Sequence, residues 1–312
     1  MNHQSTSSPS AVTGDLVVIQ RNPTSGTGKS HRALLELVRA LRFKRFSVRM
    51  FSNRGRLDEF IEGRHVNDRL RCIVAAGGDG TVSSLVNRHP NRAIALLPMG
   101  TENLIARHLK MPCNGSVVAE VIQNGRIKRF DTAKASNHRF LLMASAGIDA
   151  EVVRRLHATR SGHIRRWTYI RPILQTFASY RYPEITVTDV DTGKSVAGSH
   201  VIVSNFREYG FHLRLTPDAD PTDGQLDICV FRRHSLSQTA LHAVCSLFRA
   251  QSGPHVVRFR SQHISLSGSR ALHSDGVRPT EIPLQTDGDT AGELPIDIRI
   301  DAAAMQVLVH PP

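Results

Sequence analysis

Residues 75–81 read Ala-Ala-Gly-Gly-Asp-Gly-Thr and follow directly on the apolar run Leu70, Cys72, Ile73, Val74. Gly77, Gly78 and Gly80 surround one carboxylate, Asp79, and Thr81 opens a helical pattern through Val82, Leu85 and Val86. Glycine tolerates positive φ and lets a ligand approach the backbone closely. The free N–H groups at a helix start attract anions. A carboxylate set inside such an anion site calls for a divalent cation between it and the phosphates. The chemistry is therefore that of a magnesium nucleotide. The plainer alternative is a tight turn in which Asp79 caps the following helix.

Two further segments share this strand–turn–helix form. Asn22-Pro23-Thr24-Ser25-Gly26-Thr27-Gly28-Lys29-Ser30 resembles a P-loop but has Pro23 where G-x-x-x-x-G-K-[ST] requires its first glycine. It remains a hydroxyl- and glycine-rich turn suited to phosphate. Pro98-Met99-Gly100-Thr101-Glu102-Asn103 is the third, with Thr101 and Asn103 placed to reach a phosphate or ribose. Later in the chain, Asp220 to Gln225 and Asp287-Gly288-Asp289 are acidic glycine turns, each equally readable as a hairpin turn between strands. Asp275-Gly276 competes with the last of these.

The elements that must position these residues change character along the chain. Strand-like runs at Leu16 to Gln20, Phe46 to Met50, Leu70 to Ala76 and Ala93 to Pro98 alternate with helical patterns: Ala33 to Leu41, Leu57 to Ile61, Val82 to Val86 and Leu104 to Leu109. That alternation predicts a parallel sheet with ligands at the C-terminal strand ends, where all three glycine-bearing loops emerge. From about Phe130 strands dominate: Phe140 to Ala144, Ile185 to Val190, His200 to Ser204, Leu226 to Phe231, Val256 to Phe259 and Ile264 to Leu266. Helical stretches at 165–179 and 236–249 interrupt them. The expected fold is an N-terminal α/β, Rossmann-like nucleotide-binding domain over 14–133 and a β-rich antiparallel domain over 134–304. Residues 1–13, polar and without an apolar core, are expected to be a disordered lead-in.

The chain has 312 residues, 40% hydrophobic and 21% charged, with no apolar run near the ~20 residues that span a bilayer. Cys72, Cys113, Cys229 and Cys245 show no CxxC spacing, which points to a reduced, cytoplasmic compartment. A formal net charge of +13 calls for an anionic partner. The densest basic segment runs from Arg154 to Arg171 with Trp167 and Tyr169 interleaved. It reads either as a solvated helix face or as a surface for anionic lipid headgroups. No motif supports a nucleic-acid partner.

Taken together, NP-x-SG at Asn22 to Gly26, GGDGT at Gly77 to Thr81 and P-x-GT-x-N at Pro98 to Asn103 resemble the diacylglycerol kinase catalytic-domain family. Gly147-Ile148-Asp149-Ala150, Pro217-Asp218-Ala219 with Asp223-Gly224-Gln225-Leu226-Asp227, and Asp287-Gly288-Asp289 follow in the family's order. The resemblance covers nearly all of the chain after residue 14. It implies an α/β nucleotide domain, a β-sandwich-like lipid domain, and a last strand near 305–310 that returns to the first domain. ATP would be lined by Asn22, Pro23, Thr24, Ser25, Gly26, Gly77, Gly78, Asp79, Gly80, Thr81, Thr101 and Asn103, and Asp79 would act on phosphates through Mg²⁺. Asp220, Asp223 and Gln225 would hold a second, structural Mg²⁺. Asp289 would be the base that takes the lipid hydroxyl proton, with Asp287 able to share the role. The family has Glu at the position of Asp289, so this base is one methylene shorter here.

The implied activity is ATP-dependent phosphorylation of a diacylglycerol or sphingoid lipid by a cytoplasmic protein that visits the membrane transiently. An NAD kinase shares GGDGT and a related two-domain plan, and the Asn22 and Pro98 segments favour the lipid branch. A nucleotide- or lipid-binding sensor without catalysis is the non-enzymatic alternative, motivated by Asp289. The acceptor lipid and the oligomeric state are not legible in the residues.

Overall fold

The apolar runs read from the sequence become the central strands of the first unit. The protein is described here by a computed structural model covering residues 14–26, 28–158, 180, 182–208, 215–232, 255–268 and 281–311. The expected lead-in 1–13 and the helical stretches 165–179 and 236–249 lie outside the described residues.

The chain divides into two compact units, 1–130 with 303–312, and 131–302. The boundaries thus fall at 130 and 302, where the sequence placed them at 133 and 304. In the first unit the chain runs β1 (Leu16–Arg21), α1 (Gly28–Phe43), β2 (Ser47–Phe51), α2 (Arg54–Glu62), α3 (Arg64–Asn67), β3 (Leu70–Gly77), α4 (Asp79–Arg88), β4 (Ile94–Pro98), α5 (Leu104–His108) and α6 (Gly115–Asn124). Strand order is β2-β1-β3-β4, all parallel. Val17, Val18, Ile19, Ile73 and Val74 are fully buried, as expected of strands covered by crossover helices. Helix α1 turns Ala33, Leu34, Leu37 and Leu41 inward and packs on α6. Asn53 and Asn114 cap α2 and α6 through their side chains.

Strand β5 (Arg126–Ala135) carries the chain across the first boundary. The second unit then continues with β6 (His138–Phe140), β7 (Met143–Ala146), α7 (Ile148–Ala158), β8 (Ile185–Asp189), β9 (Ser195–Gly198), β10 (His200–Ser204) and β11 (Leu226–Phe231). After these come β12 (Val256–Ser261), β13 (His263–Gly268), β14 (Pro283–Thr286), β15 (Asp289–Glu293) and the long β16 (Ile296–Val309). One antiparallel sheet has the order β12-β11-β10-β7-β14-β15; in the other, β16 pairs with β13, β13 with β8 and β8 with β9. Their inner residues share one core, in which Val203, Ile228 and Leu284 of the first sheet pack with Val187, Leu266 and Ile298 of the second. This is a β-sandwich. The end of β16 returns to the first unit, where Val307 sits opposite Ile94.

Two local readings are corrected. Helix α4 starts at Asp79, two residues before Thr81, because Gly78 supplies the extended N-cap backbone. The single strand expected over Phe140 to Ala144 is broken into β6 and β7. The amides of Leu141, Leu142 and Met143 are all claimed by one carboxylate, that of Asp287.

Candidate active site

The three glycine-bearing turns of the first unit lie side by side at one edge of its sheet. Asn22 N–H donates to Ala76 C=O at 3.0 Å, and Met99 N–H donates to Gly77 C=O at 2.9 Å, so both outer turns are tied to the end of β3. The first turn is shaped locally: Asn22 Oδ1 accepts from Thr24 N–H at 3.1 Å and Thr24 Oγ1 at 2.8 Å. The second and third interlock backbone to backbone, since a Cβ on Gly100 would stand 2.5 Å from Gly78 Cα. Gly77 is equally constrained, because an added Cβ would meet Thr81 Oγ1 at 2.2 Å. Asn103, in the left-handed region at φ 49, closes its own turn. Its Oδ1 accepts from Gly100 N–H at 2.9 Å, and its Nδ2 donates to Gly100 C=O at 2.8 Å.

Asp79 sits between these turns and does something its own helix did not require. It is in the first turn of α4, yet its carboxylate caps α5. Leu104 N–H donates to Oδ2 at 2.9 Å and Ile105 N–H to Oδ1 at 3.1 Å. Burial raises its carboxyl above the usual aspartate range, against the opposing pull of those amides. Each oxygen accepts one N–H and keeps a second lone pair. A nucleotide-borne Mg²⁺ needs only one or two carboxylates besides phosphate oxygens and water. Asp79 fits that ion.

In the second unit, Asp287 has φ 50 and is held by three amides. Leu141 N–H donates to Oδ2 at 2.8 Å, while Leu142 and Met143 donate to Oδ1 at 2.8 and 3.1 Å. Asp289, two residues on, is 65% exposed, with His157 Nε2 3.3 Å from its Oδ1. The turn between them is fixed from below. Gly288 N–H donates to Gln285 Oε1 at 2.9 Å, and Gln285 Nε2 donates to Ser145 Oγ at 2.6 Å. Ser145 Oγ in turn donates to Asp149 Oδ2. Because an ionised carboxylate can only accept, this chain has one direction, and it turns the Gln285 oxygen toward Gly288.

The loop at Asp220 to Gln225 folds back on itself. Asp220 Oδ1 accepts from Thr222 N–H at 3.0 Å and Thr222 Oγ1 at 2.6 Å, and Asp223 Oδ1 accepts from Gln225 N–H at 3.0 Å. Asp223 Oδ2 lies 3.8 Å from Arg260. Buried Asp131 anchors the loop from β5, its Oδ2 accepting from Gly224 N–H at 2.7 Å. Among the described residues, no three His, Cys, Asp or Glu side chains converge to hold a metal. The metal role of Asp220, Asp223 and Gln225 stays an expectation of the resemblance.

Comparison with known proteins now bears on both units. Residues 16–135 match the model of the diacylglycerol kinase catalytic domain, and residues 143–309 match that of the YegS C-terminal NAD kinase beta sandwich-like domain. The chain belongs to the diacylglycerol kinase catalytic-domain family. A relative from Staphylococcus carnosus named diacylglycerol kinase is 27% identical over 293 residues, 88% of each chain. One of the same name from Staphylococcus saprophyticus is 24% identical over 281 residues, again 88% of each. Among solved structures, a diacylglycerol kinase from Bacillus anthracis aligns with TM-score 0.68 at 18% identity, covering 95% of this chain and 97% of that one. Yeast NADH kinase complexed with NADH aligns with TM-score 0.56 at 13% identity, covering 96% and 84%. These two likenesses concern the fold alone.

Within this family member, four residues of the site escaped the sequence reading: Asp131, Ser145, His157 and Gln285. Asp131 was detectable as an acid directly after Phe130, where the strand-rich half begins, and Gln285 as an amide inside the strand Leu284 to Thr286. Ser145 carries no signal apart from its partners. Of the basic segment, Arg154 and Arg155 both bind the buried Glu151, at 2.7 and 2.6 Å. Arg160 to Arg171 lie outside the described residues, as does Asp275. No helix among the described residues is long and apolar enough to cross a membrane.

Proposed function

We propose that the chain is an ATP-dependent lipid kinase that transfers a γ-phosphoryl group to a hydroxyl of diacylglycerol or a related sphingoid lipid. The observation that carries this reading is the meeting of three glycine-bearing turns at the sheet edge of the first unit that carries Asp79. The names of the curated relatives support the lipid as acceptor.

In this reading, the triphosphate lies along the Gly77 to Thr81 turn at the start of α4, with Thr101 and the Asn22 to Gly26 turn at its flanks. Asp79 would hold the nucleotide's Mg²⁺. When bound, Mg²⁺ offsets the charge of the transferring phosphoryl group. Asp289 accepts the proton of the acceptor hydroxyl. His157 orients that carboxylate, and the Gln285 amide fixes the turn that carries it. Asp287, engaged on three amides, supports the turn and leaves the base role to Asp289.

The test is incubation of the protein with labelled ATP, Mg²⁺ and total lipid, and identification of labelled product by mass spectrometry. A phosphorylated lipid is the expected product. Label in NADP from added NAD, with none in lipid, would replace this reading by the NAD-kinase alternative that GGDGT keeps in view. Nucleotide binding without any transfer would replace it by the sensor reading.

A further inference from the structure

Helix α1 buries Ala33, Leu34, Leu37 and Leu41, and its opposite face has an unusual composition for a solvated surface. Phe43 is 90% exposed and Leu35 is 59% exposed. At about 100° per residue, Arg32, Leu35, Arg39 and Phe43 fall on one outward stripe, with Arg42 beside it. They line a shallow groove completed by Ser116 at the start of α6. None of Arg32, Arg39 and Arg42 is ion-paired among the described residues.

The two carboxylates flanking this stripe are already engaged. Glu36 accepts from Ser116 Oγ at 2.5 Å and Gly115 N–H at 3.2 Å, at the N-terminus of α6. Glu120 is paired with Lys44 at 2.8 Å. Among the described residues, the surface therefore offers three arginines and two large apolar side chains with the neighbouring acids Glu36 and Glu120 already engaged. We propose that this face of α1 docks the protein on an anionic phospholipid surface. Guanidinium groups would pair with headgroup phosphates while Phe43 and Leu35 enter the acyl boundary. A second copy of the chain fits less well, because a two-fold contact through this stripe would set its arginines against one another.

The test is sedimentation of the full chain with vesicles of phosphatidylcholine alone or mixed with phosphatidylglycerol, without ATP or acceptor. It therefore stands or falls separately from the reaction proposed above. The wild type should bind the mixed vesicles, weakly bind the neutral ones, and lose binding as salt rises. Leu35→Ser with Phe43→Ser should lower partitioning about tenfold. Arg32→Gln, Arg39→Gln and Arg42→Gln together should lower it on the order of a hundredfold on mixed vesicles. Unchanged circular dichroism and melting temperature, with unchanged turnover on detergent-dispersed short-chain acceptor, would exclude misfolding as the cause. Equal vesicle binding by folded variants would overturn the proposal. So would a wild-type dimer in light scattering that Phe43→Ser dissolves, or duplex DNA binding that the arginine variant loses while vesicle binding persists.

Discussion

Two aspartate–glycine turns, Asp79-Gly80 and Asp287-Gly288, look alike as sequence and share a structural device. Each carboxylate staples a neighbouring segment by accepting backbone N–H groups with both oxygens: Leu104 and Ile105 for Asp79, and Leu141 to Met143 for Asp287. They differ in what surrounds the staple. Asp79 lies among glycine turns that pack backbone to backbone, with burial raising its carboxyl. Asp287 is committed to a strand break, and the exposed acid of its turn is the next one, Asp289. A carboxylate that binds amides is thus no evidence against a chemical role, nor for one. The groups on its far side decide.

The sharpest test of this contrast is Asp79→Asn, expected to lower phosphoryl transfer by at least about a hundredfold, because the amide cannot serve the nucleotide's cation. Steady-state turnover measures it, with circular dichroism confirming the fold. Asp289→Asn comes next, with a fall of roughly a hundredfold and stability within about 0.5 kcal/mol of wild type, as for an exposed side chain. Asp289→Glu should retain most turnover; if turnover instead rose from near zero, the sensor reading would gain.

Asp287→Ala should act on stability first. Three amides at buried residues lose their acceptor, and a cost on the order of 3 kcal/mol in denaturant unfolding is expected. A variant of full stability but no turnover would break the comparison and return the base role to Asp287. Gln285→Leu is milder: loss of the Gly288 contact should lower kcat about tenfold with KM for ATP unchanged.

The smallest effect is on pH. If Asp79 holds the nucleotide's cation as proposed, nucleotide binding needs it ionised, and its raised carboxyl loses charge at a higher pH than an ordinary aspartate. KM for ATP should therefore climb as pH falls toward that value, earlier than for a solvated carboxylate. Stability has the opposite sign. Between the ordinary and the raised value the folded state holds the proton more tightly, so stability from this group declines as pH rises. Thermal unfolding of the wild type against Asp79→Asn across that window measures the difference.

Much of this was legible in the residues. The parallel strands and amphipathic α1 follow from burial patterns of period one and 3.6, which any covered sheet with crossover helices imposes. GGDGT, the Asn22 turn and the Pro98 turn were legible because glycines at fixed offsets mark places where backbones or ligands come close. Strands β5, β9, β14 and β15, and helices α6 and α7, were not read. Their apolar patterns are short or mixed, and the sandwich core that stabilises the strands is built from residues far apart in sequence. Sequence by itself determined the family and the division into an α/β half and a β-rich half, because these depend on local periodicity and on glycine-marked motifs. The tertiary structure alone decided that Asp79 caps α5, that Asp287 is a staple while Asp289 faces solvent, and that Asp131 and Gln285 support the loops. A hydrogen bond spanning 25, 93 or 145 residues leaves no local trace in either partner.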